Sequence, residues 1–206
     1  MSQWYEIVEG DKLQQGDFFP NCPIIVTPVS LTISEELSPE LPSQNVKVEI
    51  KTYDVVVMSQ SCDLVQRKLN LVLVCPHWSL SELEGVDDEK ARDFFRSRKG
   101  KKETRRGYVP AYHMLDTCDL EGFEREIQVV DFRTVFSVPF GFLTELARRR
   151  RKRLRLLSPY REHLSQAFAR FLHARRFTCR YSSIQIEFSV NSVNSVGDVI
   201  FYLTSI

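Results

Sequence analysis

The sequence predicts an α+β fold that is mainly β, with a small antiparallel sheet and a C-terminal helix packed against it. Two continuous apolar runs, residues 55–58 and 71–74, are typical of central strands buried on both faces. Only residues 63–70 separate them, so we expect an antiparallel pair. A third observation predicts the helix: Tyr160, Leu164, Phe168 and Leu172 recur every four residues and form one apolar stripe.

The other elements follow in order along the chain. Residues 1–15 are expected to be a lead-in, followed by a turn at 16–20 and a first strand at 23–27. A polar loop at 34–43 contains Pro39 and Pro42, and the alternation of Val46, Val48 and Ile50 with charged residues predicts a half-buried strand.

The second half mixes helices and strands. Residues 79–98 have helical content, with acids at 87–89 suited to a first helical turn. Strands are expected at 108–115 and at 127–138, the latter as one long strand or a bent pair, and residues 142–157 look helical. Ser158 and Pro159 mark the start of the last helix.

Composition excludes several classes of protein. At 206 residues, with 43% hydrophobic and 27% charged residues, the chain is typical of a globular domain. No apolar run approaches the roughly 20 residues needed to cross a bilayer, and the first residues do not resemble a secretory signal. We therefore expect a cytoplasmic protein that does not bind a membrane.

The five cysteines are odd in number and widely spaced, which predicts free thiols. We expect no cofactor and no metal. A zinc site would require Cys62, Cys75, His77 and either Cys118 or His113 to converge, and the sequence contains no CxxC pair.

The formal net charge of +1 conceals two basic runs that hold 14 of the 28 basic residues. The first contains Arg96, Arg98, Lys99, Lys101, Lys102, Arg105 and Arg106; the second contains Arg148, Arg149, Arg150, Arg151, Lys152, Arg153 and Arg155. Such runs would attract phosphates or an acidic protein surface. The alternative is that they are only solvated loops or a cationic helix face. Phe94, Phe95, Trp78 and Tyr108 flank the first run, and they could either stack on bases or anchor this segment to the sheet.

Polar residues follow both apolar runs and predict a shared rim at one end of the sheet. The first group is Ser59, Gln60, Ser61, Cys62 and Asp63; the second includes His77 and Ser79. Cys62 could be a nucleophile with His77 as its base, or simply a structural cysteine. Asp63 could cap a turn, and Ser59 and Gln60 could only satisfy backbone groups.

Several features follow one another along the chain: Gly16-Asp17-Phe18, the strand ended by Ser59, the strand ended by Pro76, the strands up to Val138 and the helix from Ser158. Taken in this order, they resemble the MazF/PemK toxin family. The resemblance covers residues 16–172. It implies a small SH3-like antiparallel β-barrel with a C-terminal packing helix, in proteins that are commonly dimeric, metal-independent endoribonucleases acting on single-stranded RNA. The barrel domain would span residues 1–175 with a helical, basic insertion at 79–107, and residues 176–206 would be an atypical Ser/Val/Asn-rich extension.

The resemblance also assigns roles. Asp17 matches the family's Gly-Asp start and would lie at the rim, and Ser59 matches its serine or threonine. Thr52-Tyr53-Asp54 replaces the family's arginine before the second core strand, so catalysis would require His77 or Arg67 to supply the missing group. The expected catalytic residues are therefore Ser59, His77 and Arg67.

Two functions follow from these observations, with a thiol hydrolase or metal enzyme as a third, less supported one. The first is an RNA-directed toxin, endoribonuclease or RNA-binding effector in a bacterial toxin-antitoxin or defence setting. The second is a non-catalytic module that docks a partner protein, such as an antitoxin or a larger defence protein, through residues 59–63 and the second basic run. The residues expected to bind nucleic acid or a partner are Arg98, Lys99, Lys101, Lys102, Arg105, Arg106, Arg149, Arg150, Arg151 and Arg153.

Overall fold

The computed structural model describes residues 3–26 and 49–174, which form an α+β fold of antiparallel sheets and helices. The strands are β1 (Tyr5–Glu9), β2 (Phe18–Val26), β3 (Glu49–Val57), β4 (Leu71–Ser79), β5 (Tyr112–Leu115), β6 (Gln128–Asp131), β7 (Phe136–Pro139) and β8 (Lys152–Leu156). The helices are α1 (Ser61–Val65), α2 (Leu80–Gly85), α3 (Glu89–Arg96), α4 (Arg98–Arg105), α5 (Phe140–Arg150) and α6 (Tyr160–Ala174). The predicted loop at 34–43, the start of the strand at 46 and the extension at 176–206 lie outside the described residues.

The predicted central pair is confirmed. β3 and β4 are antiparallel, with Val55 opposite Pro76 and Val57 opposite Val74. Val55 and Val57 contribute to one hydrophobic cluster, whereas Val56 belongs to another on the opposite face. Both faces are covered, which explains why the sequence is apolar at consecutive positions.

β4 organises the larger sheet. Its first half pairs with β7 and its second half with β6, so residues 128–139 act as the predicted bent pair, interrupted near Arg133. The strand order is β2-β3-β4-β6-β5, with β7 also on β4. β1 and β8 form a separate two-stranded sheet, which an isolated bridge from Asp17 to Arg155 connects to the larger one. Within the described ranges these ladders do not close into a barrel.

Two strands were not predicted. β1 lies in the expected lead-in, and β8 lies in the segment expected to be helical, where α5 ends at Arg150. In β8, Arg153 and Arg155 alternate with Leu154 and Leu156, the period of a strand. All four residues are buried, so the basic composition of this segment did not reveal its position in the core.

The segment at 79–107 is helical, as expected. Side chains cap each of its three helices at the N-terminus: Ser79 for α2, Asp88 for α3 and Ser97 for α4. Buried Leu83 and Phe95 pack this segment against β5 and β6. Phe95 therefore anchors this segment to the sheet, which is one of the two alternatives that the sequence left open for the aromatic residues.

α6 covers the sheet with Leu164, Ala167 and Phe171. Leu172, the last residue of the predicted stripe, is exposed, because the buried face follows the 3.6-residue period and not a strict four-residue repeat. None of the helices in the described ranges is long and apolar enough to cross a bilayer.

Candidate functional site

The structure does not bring together the three residues expected to be catalytic. In an antiparallel pair, the end of one strand lies beside the start of the other. Ser59, just after β3, therefore lies beside the start of β4, where its Oγ accepts a hydrogen bond of 2.9 Å from the Leu73 amide. His77 lies towards the other end of β4, opposite Val130. The expectation of one shared rim is thus wrong.

His77 is a buried residue of the sheet. Its ring is 2% exposed and contacts the edge of Phe18, with the ring centroids 5.2 Å apart. Nδ1 lies 2.9 Å from Oε1 of Gln128. Burial lowers the pKa of His77 to about 4, and the positive charge of Arg125 acts in the same direction. The ring is neutral at pH 7 and too enclosed to take a proton from a substrate hydroxyl.

Several predicted rim residues support the local backbone. Ser61 Oγ accepts a hydrogen bond of 3.1 Å from the amide of Gln15, and the Gln15 side chain donates to the Met58 carbonyl at 2.8 Å. Ser79 forms a capping box with Glu82 at the start of α2. Ser59, Ser61 and Ser79 therefore have structural roles, because their hydroxyls bind the local backbone.

Of the remaining rim residues, Gln60 and Cys62 are exposed, and Asp63 is half-buried in the first turn of α1. The cysteines of the described residues are free, as predicted, and Cys22, Cys75 and Cys118 are buried. Burial raises the pKa of Cys22 to about 11 and that of Cys75 to about 12, which makes both thiols unreactive. Over the same ranges, no group of three His, Cys, Asp or Glu residues is placed to hold a metal ion.

Arg67 lies in the turn between α1 and β4, at the end of β4 opposite to His77. Its φ of 51° is left-handed, and its amide donates to the Leu64 carbonyl at the end of α1. Its side chain lines an open cleft of about 340 Å³ together with Asp11, Thr144, Glu145 and Arg148. Acidic and basic groups are balanced in this cleft, which therefore has no clear preference for an anion.

Asp17 and Arg153 are buried, contrary to the prediction that they lie at a rim or partner surface. The Asp17 carboxylate accepts hydrogen bonds from Arg153 Nε at 2.9 Å and from Arg155 Nη2 at 3.0 Å, and Arg155 Nε binds its other oxygen. Arg153 also donates to the carbonyls of Gly10 and Lys12, both at 2.6 Å. These hydrogen bonds hold the loop after β1 against β8.

The exposed part of the second basic run is largely paired. Arg148 contacts Glu145 at 2.7 Å and Asp11 at 3.2 Å, and Arg149 contacts Glu145 at 3.0 Å. Arg150 donates to the carbonyl of Asn21. Arg151 ends α5 with a left-handed φ of 63°. The run is therefore a set of residues with different environments, and much of its charge is compensated.

Apart from Arg96, which ends α3 and donates to the Glu84 carbonyl at 2.7 Å, the first basic run lies on α4 and at its end. Lys101 points to Glu84 at 2.6 Å, and Lys99 lies 3.9 Å from Glu103. The other cations of α4 and its end are exposed and form no ion pair with any residue in the described part of the chain: Arg98, Lys102, Arg105 and Arg106. Arg98, Lys102 and Arg105 are spaced by four and three residues, which places them on one side of the helix.

Tyr108 follows this face and is 70% exposed. Gly107 lies between Arg106 and Tyr108. The guanidinium of Arg170, from α6, contacts this turn: a Cβ placed on Gly107 would lie 3.6 Å from its Nη2. Sequence reasoning missed Arg170, because it stands outside both basic runs and reaches α4 only through the tertiary fold. We refer to Arg98, Lys102, Arg105, Arg106 and Tyr108 as the α4 face.

No protein-family model matches this sequence, and no curated protein is significantly similar to it.

Proposed function

We propose that the chain is a divergent MazF/PemK-like RNA-binding effector that holds single-stranded RNA on the α4 face. The observation that carries the proposal is the row of exposed cations on α4 that have no acidic partner in the described residues. Exposed, uncompensated arginines and lysines along one helix face provide the positive field that a phosphate backbone requires.

The chemistry of the face suits a single strand. Each phosphate that is neutralised releases counterions and contributes about −0.7 to the slope of log affinity against log salt. Tyr108 adds a ring beside the cations, and stacking of a base on such a ring contributes about 1–3 kcal/mol. A duplex offers no free base to stack, which is why single-stranded RNA is the proposed ligand.

The proposal retains binding and omits cleavage by Ser59, His77 and Arg67. Ser59 is engaged by the Leu73 amide, His77 is enclosed, and Arg67 lies in a different turn. The antiparallel order of β2, β3 and β4 and the closing α6 support the family likeness and an SH3-like ancestry of the sheet. A role in a toxin-antitoxin or defence system, in the cytoplasm, follows from that likeness.

The test is fluorescence anisotropy with a labelled oligouridine of about 15 nucleotides. The variant Arg98→Gln/Lys102→Gln/Arg105→Gln should bind more weakly and lose about 2 from the salt slope. The control, Arg148→Gln/Arg149→Gln, removes cations that are already paired with acids and should bind like the unmodified protein. Equal binding by all three proteins, or no binding by any, would reject the proposal.

A second candidate, docking of a partner protein, has an observation of its own. Leu71 and Leu73 at the start of β4 are 52% and 41% exposed, beside Gln60 and Cys62, and they lie opposite Pro139 and Ser137 of β7. An apolar strip beside polar residues is suited to a partner protein or a second copy of the chain. The variant Leu71→Ser/Leu73→Ser would then lose a partner that copurifies after nuclease treatment. Retention of that partner by the variant would exclude this surface.

A further inference from the structure

We propose that the seam between the end of α4 and the face of α6 is a phosphate-binding subsite, formed by Arg170 and His113 beside Arg106. The inference rests on the proposed function, which it extends from a helix face to a defined anchoring point. Neither Arg170 nor His113 belongs to the basic runs, and the fold places both at the end of α4.

The end of α4 forms one side of this subsite. The Gly107 amide donates to the Thr104 carbonyl and the Tyr108 amide to the Glu103 carbonyl, both at 3.0 Å, which is the Schellman arrangement. Gly107 has a φ of +72°, and a Cβ at this position would meet Nη2 of Arg170 at an ordinary contact distance of 3.6 Å, so the guanidinium borders the turn. The guanidinium of Arg170 thereby lies next to the backbone that leads from Arg106 to Tyr108.

His113 lies below the same seam, on β5. Its ring is parallel to that of Phe132, at 6.3 Å between centroids, and Phe132 contacts Phe168 and Phe171 of α6. Its Nε2 is buried and has no hydrogen-bond partner in the described part of the chain. A buried nitrogen without a partner is costly, and because this one has no exposed surface, a phosphate would have to enter the seam beside Arg170 to satisfy it.

The charges around His113 are positive. His163 and Arg170 are seven residues apart, on the same side of α6. Burial first, and then the charges of Arg170 and His163, lower the pKa of His113 to about 4. Arg170 forms no ion pair within residues 3–26 and 49–174. The charges that act on His113 are positive, which favours an anion beside Arg170.

The ligand class is a phosphate group, as in the backbone of a nucleic acid. A guanidinium binds phosphate through two parallel hydrogen bonds, and an imidazole N–H can supply a third. The subsite adjoins Arg105 and Arg106 at the end of the α4 face, so one strand can contact both. A single-stranded RNA would therefore be anchored here and extend along α4.

Two measurements test the inference. In anisotropy with the same oligouridine, Arg170→Gln should weaken binding and reduce the salt slope by about 0.7, while the control Lys68→Gln, an exposed cation beside Arg67, should not. In NMR, titration with inorganic phosphate should shift the imidazole signal that is missing in a His113→Gln variant. That shift should disappear in Arg170→Gln.

The outcomes separate the two proposals. If RNA binds, but Arg170→Gln does not weaken RNA binding and phosphate does not shift the His113 signal, the subsite is wrong and the α4 face stands. If RNA does not bind but phosphate shifts His113 only when Arg170 is present, the subsite stands and the proposed function is wrong. If neither ligand has an effect, both are rejected.

Discussion

The substitution Asp17→Asn tests whether Asp17 is a structural residue of the core. The side chains of Asp17, Arg153 and Arg155 are 0%, 1% and 10% exposed, so the carboxylate is the shared anionic partner of two guanidiniums that water barely reaches. Removing one partner of a buried ion pair costs about 3–5 kcal/mol, because the remaining charge stays buried and unpaired. The loss is large compared with the roughly 5–15 kcal/mol of a typical folded domain.

The assay is urea and thermal unfolding followed by circular dichroism. For a protein of this size, 1 kcal/mol corresponds to about 2–4 °C in the melting temperature, so Asp17→Asn should melt roughly 10 °C lower. The matched control is Glu145→Gln. Glu145 also has two arginine partners, Arg148 and Arg149, but its side chain is 43% exposed, and exposed pairs contribute no more than about 1 kcal/mol.

Two results would refute this reasoning. If Asp17→Asn and Glu145→Gln were equally stable, the cluster would not be a buried charge network. If Asp17→Asn kept its stability and lost RNA binding, Asp17 would be the rim residue that the family resemblance implies. The expected result is reduced stability, with unchanged RNA affinity at a temperature where both proteins are folded.

Three further predictions follow from local geometry and burial. Arg67→Gly should stabilise the protein by about 1 kcal/mol in urea unfolding, because Arg67 occupies the left-handed position after α1 where glycine has no steric cost; unchanged or lower stability would contradict this. Ser79→Ala should cost about 1 kcal/mol in urea unfolding by removing the α2 capping box, and unchanged stability would contradict this. His77 and His113 both have pKa values lowered to about 4 and are neutral when folded, so each should lower the free energy of unfolding by about 1.4 kcal/mol per pH unit as the pH drops from about 6.5 towards about 4, where the unfolded chain takes up the proton first. Replacing His77 by Asn should reduce this slope in urea titrations at several pH values, and an identical slope would show that His77 does not cause it.

The central strands, the helical insertion and α6 were predictable because their signals are local. Residues 55–58 and 71–74 are continuous apolar runs, and the short connection between them dictates antiparallel pairing. The expectation that the polar residues after these two runs share one rim was wrong. Successive antiparallel strands end at opposite edges, so the polar residues after β3 and those at the end of β4 could not share one rim. The topology alone separates Ser59 from His77.

The charged residues were harder to place because sequence shows the cation and not its partner. Arg153 and Arg98 both lie in basic runs, yet Arg153 meets an aspartate 136 residues earlier in the chain, whereas Arg98 remains in solvent. β8 was missed for the same reason, since arginines in a basic run are typical of an exposed segment, whereas those of β8 are buried.

The partner of each cation therefore decides its contribution to function. Arg148 and Arg149 are compensated by surface acids, whereas Arg153 and Arg155 are buried and share one carboxylate, so neither pair presents exposed, unpaired cations. The α4 face retains its charge. Because α4 lies within residues 79–107, the proposed function lies in the segment that the family resemblance predicts to be an insertion. The polar residues at the ends of the sheet predicted a catalytic site, but the sheet instead supports the helices that carry the charge.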